Sequence, residues 1–118
     1  ILCAAAIHGA AEALAFGERA GLEMAKVLDA VTKGAANSWY LENRGPTMLT
    51  DQFAFGFAVD WMKKDLGLCR AEATAIGAEL PLTTLVDAEL AQMQARGANR
   101  LDATSIIRLF RPEARDGS

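Results

Sequence analysis

Apolar residues along this 118-residue chain recur at steps of three and four through most of its length, the period of helices that each bury one side. The first stretch, Ile1 to Ala20, reads as one helix closed by Gly21, at the position where a left-handed residue ends a helix and glycine accepts that conformation without steric cost. Leu2, Ala6, Gly9, Ala10, Ala13 and Phe16 are expected to line its inward side, while Ala4, Ala5, Ala11 and Ala15 leave the other side small and nearly uncharged. A helix of that kind is expected at the centre of a fold, touched from several directions. Ile1 enters mid-pattern with no N-cap and no polar lead-in, as expected if the helix begins upstream in a longer polypeptide.

The same reasoning gives a second helix over Met24 to Thr32, stopped at Gly34. The run "ANSWYLENRGP" offers Asn37 or Ser38 as N-cap, then a turn or two of helix, then a Gly45-Pro46 stop. Thr47 to Gly56 is expected to be a loop that buries Phe53 and Phe55. A long helix follows from about Ala58 to Ile76, closed by Gly77. Pro81 opens the next, Leu82 to Arg96, which ends at Gly97. Asp102 caps a last helix through Phe110, halted by Pro112, and residues 113–118 form a polar tail. No segment alternates with period two over strand length. The expected fold is all-α, a multi-helix bundle of about six helices.

The stretch "FGFAVDWMKKDLGLC" poses the functional question. Val59, Met62, Leu66, Cys69, Ala73 and Ile76 form one buried stripe, and Lys64 falls nearly opposite it, with Trp61 and Leu68 as its helical neighbours. The second face is therefore apolar too, with a lysine set in it. Lys63 shares its side with Asp60 and Gly67, an ordinary solvated edge. Two readings of Lys64 stand side by side. Its methylenes can lie over Trp61 and Leu68 while the ammonium reaches water. Alternatively, the face meets another domain or subunit across a cleft, where the ammonium holds an anionic ligand and the aromatics wall it in.

Composition narrows the choice. A hydrophobic fraction of 52%, much of it alanine, suits closely packed helices and suggests surface meant for a partner. A net charge of −3 with scattered basic residues gives no case for nucleic acid or an anionic membrane. No apolar run approaches the roughly 18 residues that span a bilayer. Cys3 and Cys69 lie within helical patterns and are expected to be reduced, buried thiols of a cytoplasmic protein. His8 is expected to be packed or hydrogen-bonded rather than catalytic, and Glu12, Asp60, Glu72 and Asp87 to serve as caps, edges or ion-pair partners; no metal is expected. The chain carries no dinucleotide fingerprint, P-loop or nucleophile elbow.

Taken in order, "AEALAFGERAGL", "NSWYLENRGPTML", "FGFAVDWMKKDLGLC" and "LPLTTLVDAELAQM" resemble the C-terminal helical domain of the 3-hydroxyisobutyrate dehydrogenase family, also called the β-hydroxyacid dehydrogenases. The resemblance runs from Ile1 to about Phe110 and implies a helical domain of the 6-phosphogluconate dehydrogenase C-terminal-like type over residues 1–110. It implies a Rossmann domain, absent from this chain, that holds most of the NAD or NADP, and a catalytic lysine in a K-x-x-N pattern just upstream of Ile1. On the same resemblance Lys64 is the cofactor-binding lysine near the nicotinamide and ribose, Asp65 supports the active-site lysine, and Phe57 helps wall the substrate pocket. The implied activity is hydride transfer between a small 3-hydroxy acid and nicotinamide by a homo-oligomer, with this domain inactive alone. Substrates of the 3-hydroxyisobutyrate, tartronate semialdehyde, serine and threonate types all fit. The competing expectation is a helical oligomerisation or scaffold module derived from that family and lacking catalysis.

Overall fold

The computed structural model describes residues 1–112. Among them the chain forms α1 (Leu2–Arg19), α2 (Met24–Val31), α3 (Trp39–Leu49), α4 (Val59–Ile76), α5 (Pro81–Ala95) and a final 3₁₀ helix (Ala103–Phe110), with no strand beyond one isolated bridge between Ala58 and Asp102. The expected all-α fold of about six helices is what is found. As expected, α1 is central, packed against α2, α3, α5 and the 3₁₀ helix, whereas α4 lies at one side against α5 and the 3₁₀ helix.

The inward side of α1 differs from the expected one. Ala4, Ile7, Ala10, Ala11, Leu14 and Ala15 are buried, while Leu2 is 85% and Phe16 73% exposed. The large side chains at the two ends thus point outward, and the core is met by Ile7 and Leu14 with alanines between them. Alanine lets α1 be approached closely from several directions, which a helix with bulky residues all round does not permit. Gly21 takes the left-handed conformation expected of it, with φ 77°.

The Gly45-Pro46 pair does not stop α3. Pro46 lies inside the helix and is exposed, so the helical bond its missing N–H would have made to Glu42 is lost on the solvent side. Leu41 and Met48, seven residues apart on one face, are both buried. Each such burial stabilises by about 1.5–3 kcal/mol, together more than the roughly 3 kcal/mol that an interior proline costs. Gly45 on that face lets Leu28 of α2 approach closely, since a Cβ there would lie 2.8 Å from a Leu28 methyl. Ser38 caps the helix, its hydroxyl accepting from the Leu41 N–H at 3.0 Å.

The loop that follows buries Phe53 and leaves Phe55 exposed. In α4, Val59, Met62, Leu66 and Ala73 are buried as expected, but Cys69 is half-buried and Ile76 exposed, because the helix outruns its support near Gly77. Its first N–H groups have no side-chain cap; those of Val59 and Asp60 donate to the carbonyls of Leu101 and Asn99 at 2.8 and 3.1 Å. The last helix is 3₁₀ rather than α, with residues 103–107 all buried. Both cysteines are free thiols; Cys3 is exposed and Cys69 half-buried, so the expectation that they are buried fails. The expected tail at 113–118 lies outside the described residues.

Candidate functional site on the open face of the fourth helix

The two adjacent lysines of α4 have separate surroundings. Lys63 is not on a solvated edge: it is part-buried, and its ammonium lies 2.9 Å from Asp87 of α5. Arg70 pairs with the other oxygen of the same buried carboxylate, so one acid on α5 ties two turns of α4. Asp60 is likewise occupied, accepting from Gln94 at 2.8 Å and Asn99 at 3.0 Å. These bonds account for the α5 side of α4.

Lys64 projects from the opposite side. It is exposed and makes no ion pair or hydrogen bond among the described residues. Its helical neighbours Trp61 and Leu68 are 57% and 62% exposed, so the lysine stands on an apolar face that no described residue covers. Asp65, one residue on, is also exposed and does not pair with Lys64. Phe57 precedes the helix and is 40% exposed. All three residues singled out from the sequence therefore belong to the open side of α4 or to the turn that leads into it.

That turn is held firmly. Asp102, almost fully buried, accepts from the Phe57 N–H at 2.8 Å with one oxygen, and from the N–H of Thr104 at 3.2 Å and the Thr104 hydroxyl with the other. The Ala103 N–H donates to the Phe57 carbonyl at 2.8 Å, and the Asp102 N–H to that of Phe53 at 2.9 Å. Gly56 has φ +74°, and a Cβ on it would meet the Asp102 carboxylate at 2.2 Å, so both its conformation and its neighbour require glycine. Beside it the Arg44 guanidinium lies 5.0 Å from the ring centres of both Trp39 and Phe55. Sequence reasoning expected Asp102 as a helix cap; its hold on the turn together with Arg44 depends on a separation of 45 residues between Phe57 and Asp102 that no local spacing reveals. The phenol of Tyr40 is pushed up to about 12, first by burial and then by the neighbouring Cys3 thiol.

Elsewhere, His8 behaves as expected of a packed histidine. Its ring nitrogens lie 2.9 Å from Glu89 and Glu12, and its edge meets Phe110. A cavity of about 510 Å³ is far from Lys64, lined by Arg108 and Arg111 together with Asp51 and Glu18. Its arginines bind those acids at 2.9–3.2 Å and clasp the end of the chain to α1; we read it as structural. Among the described residues no cluster of His, Cys, Asp and Glu is arranged to hold a metal, and no helix is long and apolar enough to cross a membrane.

Among the described residues, the open face of α4 combines an unpaired lysine with exposed apolar side chains. Comparison with known proteins gives the family. Residues 1–110 match the family model described as the NAD-binding domain of NADP-dependent 3-hydroxyisobutyrate dehydrogenase. An uncharacterised oxidoreductase of Shewanella frigidimarina is 46% identical over 107 residues, 91% of this chain and 37% of that protein. L-threonate dehydrogenase of Escherichia coli K12 is 33% identical over 110 residues, 93% of this chain and 36% of that protein. The crystal structure of a 3-hydroxyisobutyrate dehydrogenase from Salmonella typhimurium superimposes with a TM-score of 0.85 at 33% identity, over 92% of this chain and 38% of that one. A structure of the Mycobacterium tuberculosis 3-hydroxyisobutyrate dehydrogenase with L-serine gives 0.84 at 28% identity, over 94% and 40%. The chain belongs to the 3-hydroxyisobutyrate dehydrogenase family of NAD(P)-dependent hydroxyacid dehydrogenases. It spans 37% of the length of the Shewanella relative.

Proposed function

We propose that residues 1–110 are the C-terminal helical domain of an NAD(P)-dependent dehydrogenase acting on a small 3-hydroxy acid, and that the open face of α4 closes its active-site cleft. The observation that carries this reading is the contrast between neighbours: Lys63 is committed to Asp87, whereas Lys64 stands uncommitted on an exposed apolar face. An ammonium group kept in such a face costs solvation if the face is covered, unless an anionic or strongly polar ligand meets it there. The arrangement fits a dinucleotide, with Lys64 beside the nicotinamide ribose and Trp61 and Leu68 excluding water around it. When bound, the nicotinamide accepts or returns the hydride at the carbon bearing the hydroxyl.

Phe57 walls the substrate side, and Asp65 orients the active-site lysine. That lysine, the acid/base, belongs to a K-x-x-N segment preceding Ile1, and a Rossmann domain preceding that segment holds most of the cofactor. The exposed Leu2 and Phe16 of α1 support assembly into a homo-oligomer through that helix. The protein works in the cytoplasm, and this domain alone is inactive.

The test is a spectrophotometric assay of the full-length protein, following NAD⁺ and NADP⁺ reduction with 3-hydroxyisobutyrate, threonate, serine and related 3-hydroxy acids. Turnover with one of them is expected. A folded protein that turns over none would favour a family-derived scaffold in which the same apolar faces serve assembly.

A further inference from the structure

We propose that Arg44 and Asp102 are positioning residues for the substrate pocket: together they fix the turn at Gly56 and Phe57, and through it the orientation of the Phe57 ring. The inference rests on the reading of Phe57 as a pocket wall. Phe57 is anchored by its backbone on both sides, its N–H to the Asp102 carboxylate and its carbonyl to the Ala103 N–H, each at 2.8 Å. Its side chain nevertheless stays part-exposed. A ring held this way has a fixed base and one free face, which is what a pocket wall requires.

Asp102 holds both ends of the turn, Phe53 through its backbone N–H and Phe57 through its carboxylate, and leaves Phe55 between them. Phe55, two residues before Phe57, is exposed and has the Arg44 guanidinium 5.0 Å from its ring centre, with Trp39 at the same distance. A cation shared by two aromatic rings restrains both. The Arg44 Nε is buried without a hydrogen-bond partner, and Nη1 reaches only the Asn43 carbonyl at 3.4 Å, so hydrogen bonds hold the side chain weakly. Its place is set by the rings and by the space over Gly56, where a Cβ would lie 3.6 Å from Arg44 Nη2. Arg44 reaches the turn from α3 and Asp102 from the start of the 3₁₀ helix, so two elements far apart in the chain converge on one pocket residue.

The experiment compares Arg44→Met, Arg44→Lys and Asp102→Asn with wild type in the full-length protein, reading steady-state kinetics, melting temperature and hydrogen exchange of the 53–58 peptide by mass spectrometry. Arg44→Met is expected to raise the hydroxy-acid KM by about tenfold while kcat and the dinucleotide KM stay within about twofold. The 53–58 peptide should exchange about tenfold faster, with the core peptides unchanged. Arg44→Lys should recover part of both effects, because an ammonium keeps the charge but not the planar stacking. Asp102→Asn keeps an acceptor for Phe57 and should act in the same direction; if it fails to fold, the Arg44 pair still decides. An unaltered hydroxy-acid KM, or all constants falling together with the melting temperature, overturns the proposal. Wild type without turnover overturns the dehydrogenase reading and the pocket role with it, while the exchange data separately show whether the two residues hold the turn.

Discussion

The first and fourth helices are both apolar on more than one side, and they were not equally readable. In α4 the polar residues Asp60, Lys63, Lys64, Asp65 and Arg70 break the ring of apolar positions, and the stripe Val59, Met62, Leu66 and Ala73 is the one found buried. In α1 alanine occurs on every side, and choosing the face with the largest residues selects Leu2 and Phe16, the two most exposed large apolar side chains among the described residues. Periodicity therefore reports the buried side only where polar residues mark the other one.

The sharpest way to break that comparison is within α4. Leu66→Ala should destabilise the domain by about 2–5 kcal/mol, since the side chain is almost wholly buried and its removal leaves a cavity. Leu68→Ala, two residues on and largely exposed, should change stability by less than about 0.5 kcal/mol. Equal effects in urea denaturation would mean that the outer face is covered within this chain.

Asp87→Ala should cost about 2–3 kcal/mol, because a buried carboxylate that holds both Lys63 and Arg70 is lost and both cations are partly solvated. A change below about 0.5 kcal/mol would show the three-way pairing to be ornamental.

Most of the fold could be read from the sequence, because its helices are punctuated. Gly21, Gly77 and Gly97 take the positive φ expected of helix ends, Pro81 opens α5, and Asp102 caps the 3₁₀ helix. Gly45-Pro46 misled because a local breaker was weighed without the Leu41 to Met48 spacing that carries the helix past it. The site was legible in one respect, the odd position of Lys64 between Trp61 and Leu68. Lys63 was misread, since its partner Asp87 comes from another helix, and the Arg44–Phe57–Asp102 arrangement was missed for the same reason. Contacts between distant segments leave no periodic trace.

The proposed function divides α4 into a structural side and a functional side, one residue apart. The most direct measurement is a paired comparison of Lys63→Ala and Lys64→Ala in the full-length protein, with melting temperature and steady-state constants read for each. The prediction is a lower melting temperature and nearly wild-type constants for Lys63→Ala, against an unchanged melting temperature and a dinucleotide KM raised by about tenfold for Lys64→Ala. A stability loss with unaltered kinetics for Lys64→Ala would contradict it, leaving that lysine a packing residue like its neighbour.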